Sequence, residues 1–228
     1  MQIILDNLLL TNYLNHKDLK NIFTNERHPF QIRRYSRNEV VLAEGEEIDG
    51  LYMQVSGRTK ITTSVITGKA LLLRFCSAIS IMGDIELVQK VPIQSQVTAA
   101  EETDFIFLHK TYIYSQLMKD TAFLQQLLVH TTYKLQTCTT ASRINLLASV
   151  ETRFASYLCT VSNGVSFGKE IHTTNSAEIA SLIGTTTRHL NRVIEKLTSE
   201  KIIKKNKQEI IVIEWEKIED ISDGLRYE

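Results

Sequence analysis

Residues 175–197, NSAEIASLIGTTTRHLNRVIEKL, carry the pattern that the rest of the chain has to fit. The spacing predicts two short helices joined by a tight turn. Asn175 is a good N-cap, and Glu178 three residues later completes a capping-box pattern. Ile179, Ala180, Leu182 and Ile183 give the first helix an apolar face, and Gly184 supplies the positive φ that ends it. Thr186 then caps a second helix in which Leu190, Val193, Ile194 and Leu197 recur at helical spacing. Thr187, Arg188, His189, Asn191 and Arg192 are left on the outer face. A buried stripe behind such a face is what a recognition helix in a DNA major groove requires. A helical hairpin with a merely solvated polar face has the same pattern, so the flanking sequence has to decide.

At 228 residues and 43% apolar content, the chain is long enough for one large domain or two ordinary ones, and its two prolines leave little room for extended linkers. The net charge is zero, but it is unevenly spread. Between Lys169 and Lys207 eight basic residues face four acidic ones, whereas Glu209 to Glu228 holds seven acidic residues against Lys217 and Arg226. A basic motif beside an acidic tail suits a DNA reader. Cys76, Cys138 and Cys159 are widely spaced and form no CxxC or Cys/His cluster, so neither a disulfide framework nor a metal site is expected. The start, MQIILDNLLLTNYL, lacks the basic region of a secretory signal, and no apolar run approaches membrane-spanning length. A soluble cytoplasmic protein is expected.

Residues 3 to about 28 read as helical, with Leu5, Leu8, Leu9, Tyr13, Leu14, Leu19, Ile22 and Phe23 as apolar contacts. From Phe30 to Leu108 short strands follow, among them 40–42, 51–55, 59–63, 71–75, 97–99 and 105–108. Turns at 36–38, 44–46, 56–57 and Thr67-Gly68 separate them. Strands so spaced indicate an all-β barrel or jelly roll. From about Tyr112 to Ser149 the pattern is helical again. Leu124, Leu128, Thr131, Leu135, Cys138, Ser142 and Asn145 alternate by four and three, as in a coiled-coil seam. A homodimer helix and a core helix of one domain both satisfy this register, and the sustained length favours the dimer. Ser149 caps the next helix, a short β segment spans about Val165 to His172, and residues 202–213 form a hairpin wing with Lys204, Lys205 and Lys207 at its turn. No nucleophile–base pair or glycine-rich phosphate loop points to catalysis.

Three signatures then resemble, in order, those of the Crp/Fnr family of dimeric bacterial transcription regulators. Glu44-Gly45-Glu46, Leu51-Tyr52 and Val55-Ser56-Gly57-Arg58 resemble cyclic-nucleotide-binding β-rolls, with Asn38 at a usual glycine position. Residues 81–87, IMGDIEL, followed by Gln94-Ser95, are similar to the phosphate-binding cassette, and the helical hairpin with its wing matches the family's output domain. The resemblance implies an α+β chain. Its parts would be an effector-sensing β-roll with an N-terminal helix (1–110), a dimerisation helix (111–148) and a winged helix-turn-helix binding palindromic double-stranded DNA (149–228). RNA polymerase and a small-molecule effector are further partners that it implies.

On the DNA side the candidate residues are Thr185, Thr186, Thr187, Arg188, His189, Asn191, Arg192, Lys205 and Lys207. Arg192 falls on the family's recognition-helix arginine, whose fork matches guanine O6 and N7. A phosphate contact or an ion pair with Glu195 is the alternative for it. On the effector side the candidates are Gly83, Asp84, Glu86, Gln94, Ser95, Cys138 and Thr139. Gln94 stands where cyclic-AMP binders carry an arginine, and a neutral amide cannot give a phosphate anion charge-assisted bonds. Asp84 and Glu86 add negative charge. Cyclic AMP is therefore disfavoured, and no cofactor is indicated. Cys138 on the seam fits a redox role or simple packing. A ligand-binding module acting on a partner protein is the alternative function.

Overall fold

Strand pairing starts at the first residues of the chain. In the computed structural model, which describes residues 1–23, 28–64, 70–206 and 209–228, β1 (Gln2–Ile4) pairs antiparallel with β2 (Gln31–Tyr35). The helix expected from residue 3 therefore begins later. Asp6 accepts the amide of Leu9 and caps α1 (Asn7–Leu14), and α2 (Lys17–Ile22) follows. Leu5 and Leu8, expected as contacts, are 96% and 73% exposed, while Leu19, Ile22 and Phe23 are buried.

β3 (Val40–Leu42), β4 (Gly50–Gln54), β5 (Thr59–Ser64) and β6 (Ala70–Cys76) lie where the alternation put them. β7 (Ser80–Met82), α3 (Asp84–Gln89), β8 (Gln96–Ala99) and β9 (Thr103–His109) complete the roll. One sheet runs β1-β2-β9-β4-β7, and β3, β8 and β5 are antiparallel neighbours in another. Leu51, Met53, Phe105, Ile106 and Leu108 fill the core against Leu19, Ile22 and Phe23. Asn38 adopts a φ of 69°, the left-handed turn conformation also seen at Gly45 and Gly57. The turn expected at Thr67-Gly68 lies outside the described residues.

β2 escaped the sequence reading because Arg33 and Arg34 interrupt its apolar pattern. The structure accounts for both charges. The Arg33 guanidinium carbon sits 3.2 Å from the Phe107 ring centroid and its Nη1 bonds Asp49 at 2.7 Å. Arg34 donates twice to the buried Asp104 at 2.7 Å, and the Tyr13 hydroxyl donates to the same carboxylate at 2.8 Å. Burial raises the Asp104 pKa, but the Arg34 and Tyr13 hydrogen bonds and the Arg34 charge outweigh it, leaving the carboxyl below its usual range. Such a group adds stability above the unfolded-state pKa and loses it as pH falls through the lowered value. The stability gap between wild type and Arg34→Met is therefore expected to be widest at neutral pH and to narrow in acid. Urea unfolding across that range reads it, and a gap independent of pH would contradict the assignment.

The segment from 110 is broken once before it becomes a long helix. α4 (Lys110–Ser115) and a 3₁₀ turn (Leu117–Lys119) precede Asp120, whose side chain accepts the Phe123 amide and starts the 27-residue α5 (Thr121–Leu147). Contacts divide the chain into two compact units, 1–68 with 76–134 and 69–75 with 135–228, so α5 contributes to both. Leu124, Leu128 and Leu135 are 38%, 63% and 66% exposed. Two other residues of the expected seam turn into their own chain. Thr131 donates to Asp84, and Asn145 bonds Leu182 and Tyr227.

The second unit holds α6 (Val150–Ser162), α7 (Ser166–Ile171), α8 (Ser176–Leu182) and α9 (Thr187–Ser199). After them come β10 (Ile203–Lys205), β11 (Ile210–Val212) and α10 (Trp215–Ile221). Ser149 caps α6 through the Thr152 amide. The β segment expected near Val165 is instead the helix α7. Phe167, Gly168 and Ile171 are buried at i, i+1 and i+4, and a Cβ on Gly168 would come within 2.6 Å of the Thr160 carbonyl. Close packing against α6 thus selects the helix. Leu72 and Phe75 of β6 join the core of this unit.

Candidate nucleic-acid interface and effector cassette

Capping places the two helices of the opening motif. The Asn175 side chain accepts the Ala177 and Glu178 amides. Glu178 accepts the Thr173 hydroxyl at 2.6 Å, and that hydroxyl oxygen accepts the Asn175 amide, so the two ends of the first turn are linked through Thr173. Gly184 has a φ of 64° at the turn, and Thr186 caps α9 by accepting the His189 amide. Arg153 of α6 fastens the turn, donating to the carbonyls of Ile183 and Gly184 at 3.0 and 3.1 Å. No sequence pattern marks Arg153 for this task, because its partners lie 30 and 31 residues away.

Leu190, Val193, Ile194 and Leu197 bury one side of α9. On the other side Thr186, Thr187, Arg188, His189 and Arg192 are exposed, with Thr185 and Asn191 half-buried. Arg188 and Arg192, four residues apart, lie on one face. Among the described residues no ion pair engages either of them, and the Glu195 pairing does not form. The Lys205 ammonium lies 3.4 Å from both Ser176 Oγ and Asn191 Oδ1, so the wing meets α8 and α9. Lys196 is held by Glu151 at 2.7 Å. Lys207 lies outside the described residues.

The cassette is closed on itself. Gly83 turns the chain with a φ of 87° into α3. The buried Asp84 is paired with Lys134 at 2.7 Å and accepts the Thr131 hydroxyl at 3.1 Å, while Lys134 also donates to the Ile81 carbonyl. Glu86 accepts the backbone amide of Gln94 at 3.1 Å. Both carboxylates, expected to add free charge to a pocket, are thus engaged within the fold. The exposed Gln94 side chain folds onto the Pro92 carbonyl, and Ser95 is half-buried. A nearby cavity of about 310 Å³ is lined by Glu47, Ile48, Glu86, Lys90, Lys110 and Tyr114 among others. Of the cassette residues expected around a pocket, only Glu86 lines it.

Cys138 and Thr139 belong to the second unit. Thr139 donates to the Leu135 carbonyl of its own helix. The exposed Cys138 sulfur lies 3.0 Å from Arg74, a buried residue absent from the sequence candidates. Arg74 also donates to Thr137 at 2.9 Å and to Glu170 at 3.1 Å, joining β6, α5 and α7. The Leu72 amide adds a bond to the Ser181 hydroxyl of α8 at 2.7 Å.

The family model of the cyclic nucleotide-binding domain matches residues 32–120, and that of the Crp-like helix-turn-helix domain matches residues 152–221. The chain belongs to the Crp/Fnr family. It is a transcription regulator with a DNA-binding helix-turn-helix. The regulatory protein YeiL of Escherichia coli O157:H7 is 22% identical over 174 residues, covering 76% of this chain and 77% of that protein. A CRP-family transcriptional regulator from Thermus thermophilus superposes with a TM-score of 0.69 at 17% identity, over 86% of this chain and 98% of its own. A CooA variant from Carboxydothermus hydrogenoformans gives 0.70 at 17%, over 97% and 98%. At such identities these two structures establish the shared fold. No helix among the described residues is long and apolar enough to cross a membrane.

Proposed function

We propose that this regulator acts in the cytoplasm as a homodimer reading a two-fold symmetric DNA site, and that its β-roll answers to a signal other than cyclic AMP. The observation that carries the DNA reading is the Arg188–Arg192 row, exposed and without an ion pair among the described residues, on a helix whose opposite face is core. Arg192 is assigned to base edges, with Thr187, Arg188, His189 and Asn191 beside it and Thr185, Thr186, Lys205 and Lys207 on phosphates. The exposed Leu124, Leu128 and Leu135 on α5 support a helix that pairs with a second copy. Two recognition helices would then meet half-sites about 34–36 Å apart. Gln94, a neutral amide folded onto its own loop where a charge-assisted donor is needed, supports a cassette unsuited to a cyclic phosphate.

Selection of bound sequences from a random DNA library by the purified protein tests this reading. A two-fold symmetric site is expected, and no enrichment would overturn it. On that site Arg192→Ala is expected to lose about 1–3 kcal/mol of binding and to relax preference at one base pair per half-site. A uniform loss across sequences would instead make Arg192 a phosphate contact.

A further inference from the structure

Beyond the wing and outside the residues matched by the helix-turn-helix family model, the chain folds back into the unit it has just completed. Asp223 and Gly224 take φ values of 51° and 69° after α10, reversing the chain. Arg226 bonds Glu219 and the Ser222 hydroxyl, pinning the return against α10. Tyr227 is then 2% exposed, in contrast to the acidic surface around it.

Its amide and its hydroxyl are both engaged. The Tyr227 amide donates to the buried Thr160 hydroxyl of α6 at 3.0 Å, and the Tyr227 hydroxyl donates to Asn145 Oδ1 at 2.7 Å. Asn145, near the end of α5, donates through Nδ2 to the Leu182 carbonyl at 3.1 Å, in the last turn of α8. This orientation of the amide is fixed by its neighbours. A carbonyl at Leu182 can only accept, so Nδ2 must face it, and Oδ1 is left for a donor. Tyr227 is that donor, and burial keeps its hydroxyl protonated well beyond the ordinary tyrosine range. Leu182 directly precedes the turn that Arg153 fastens and from which α9 departs.

We propose that Tyr227 is a positioning residue for DNA reading. Acting through Asn145, it fixes the end of α5 to the end of α8 and so sets the direction in which the recognition helix leaves the long helix. In a dimer paired along α5, that direction sets the distance between the two recognition helices. The inference rests on the dimeric DNA-reading function proposed above, and it assigns a geometric task to residues with no DNA contact of their own.

The test compares wild type, Tyr227→Phe, Asn145→Ala and the double variant, all full length. Each is titrated with the selected site, the same site with one base pair inserted between half-sites, and random-sequence DNA. Tyr227→Phe keeps the buried ring and removes only the hydroxyl. Each single variant is expected to lose about 5-fold on the selected site, with the double variant no worse than Asn145→Ala alone, as coupled residues behave. Random-sequence affinity should stay near wild type, the thermal midpoint should fall by no more than the few degrees that one unpaired buried polar group costs, and discrimination against the one-base-pair insertion should weaken. Unchanged affinity and spacing preference in Tyr227→Phe would overturn the proposal, as would equal losses on all three DNAs with a lowered midpoint. A wild type with no preferred site would instead refute the DNA-reading function itself.

Discussion

Arg74→Met is expected to cost about 3–5 kcal/mol of stability, the usual consequence of removing one member of a buried ion pair. Arg74 is 7% exposed, and its guanidinium meets Glu170, Thr137 and Cys138 while lying over the Phe167 ring. Methionine keeps much of the stem's volume but takes the cation from a Glu170 side chain that is only 15% exposed. The carboxylate then faces a low-dielectric surrounding without the Arg74 charge. A lysine should rescue poorly, because one ammonium cannot span partners on two helices as a planar fork does. Adding Glu170→Met to Arg74→Met should restore most of the loss, since replacing both charges leaves no buried carboxylate. Urea unfolding of the three variants reads this series. A loss below about 1 kcal/mol in Arg74→Met would mean that the pair behaves like a solvated surface bridge. With two compact units the transition need not be two-state, so the probe should report on the second unit, which holds the chain's single tryptophan, Trp215.

What could be read from the sequence follows from how local its cause is. The α8–turn–α9 motif was legible because caps, a turn glycine and an apolar stripe lie within 23 residues of one another. The strands of the roll were legible wherever alternation was clean, and β2 was lost where Arg33 and Arg34 hid it. α7 was misread because its helix depends on Gly168 meeting α6, a tertiary contact. Periodicity on α5 showed which residues share a face, but it could not tell that Thr131 and Asn145 are drawn inward by Asp84, Leu182 and Tyr227. Arg74 and Glu170 are 96 residues apart and carry no mutual signature. The cassette shows the same division. Its outline was visible in Gly83 and Gln94, but the pairing of Asp84 depends on a lysine 50 residues further on.

Lys134→Met is expected to be the next most damaging change, at about 3 kcal/mol, because Asp84 is left buried without its cation. The asymmetry of the pair sets the size. Asp84 is 2% exposed and cannot regain water, whereas Lys134 at 24% keeps part of its hydration, which trims the loss below that at Arg74. The Thr131 hydroxyl still donates to Asp84, but a single neutral bond of about 1 kcal/mol cannot replace an ammonium. The Ile81 carbonyl loses its donor in the same change, so β7 and the start of α3 should loosen together. Asp84→Asn in the Lys134→Met background removes the stranded charge while keeping an acceptor for Thr131, and it should recover most of the stability. Hydrogen exchange on 80–89 offers the local readout. Protection there should fall in Lys134→Met and return in the double variant, while 187–199 stays protected throughout. Equal loss of protection in both segments would mean that the Asp84–Lys134 pair supports the whole chain rather than the cassette. No recovery with Asp84→Asn would mean that the lysine acts through packing of its stem, and the electrostatic account of the cassette would fail.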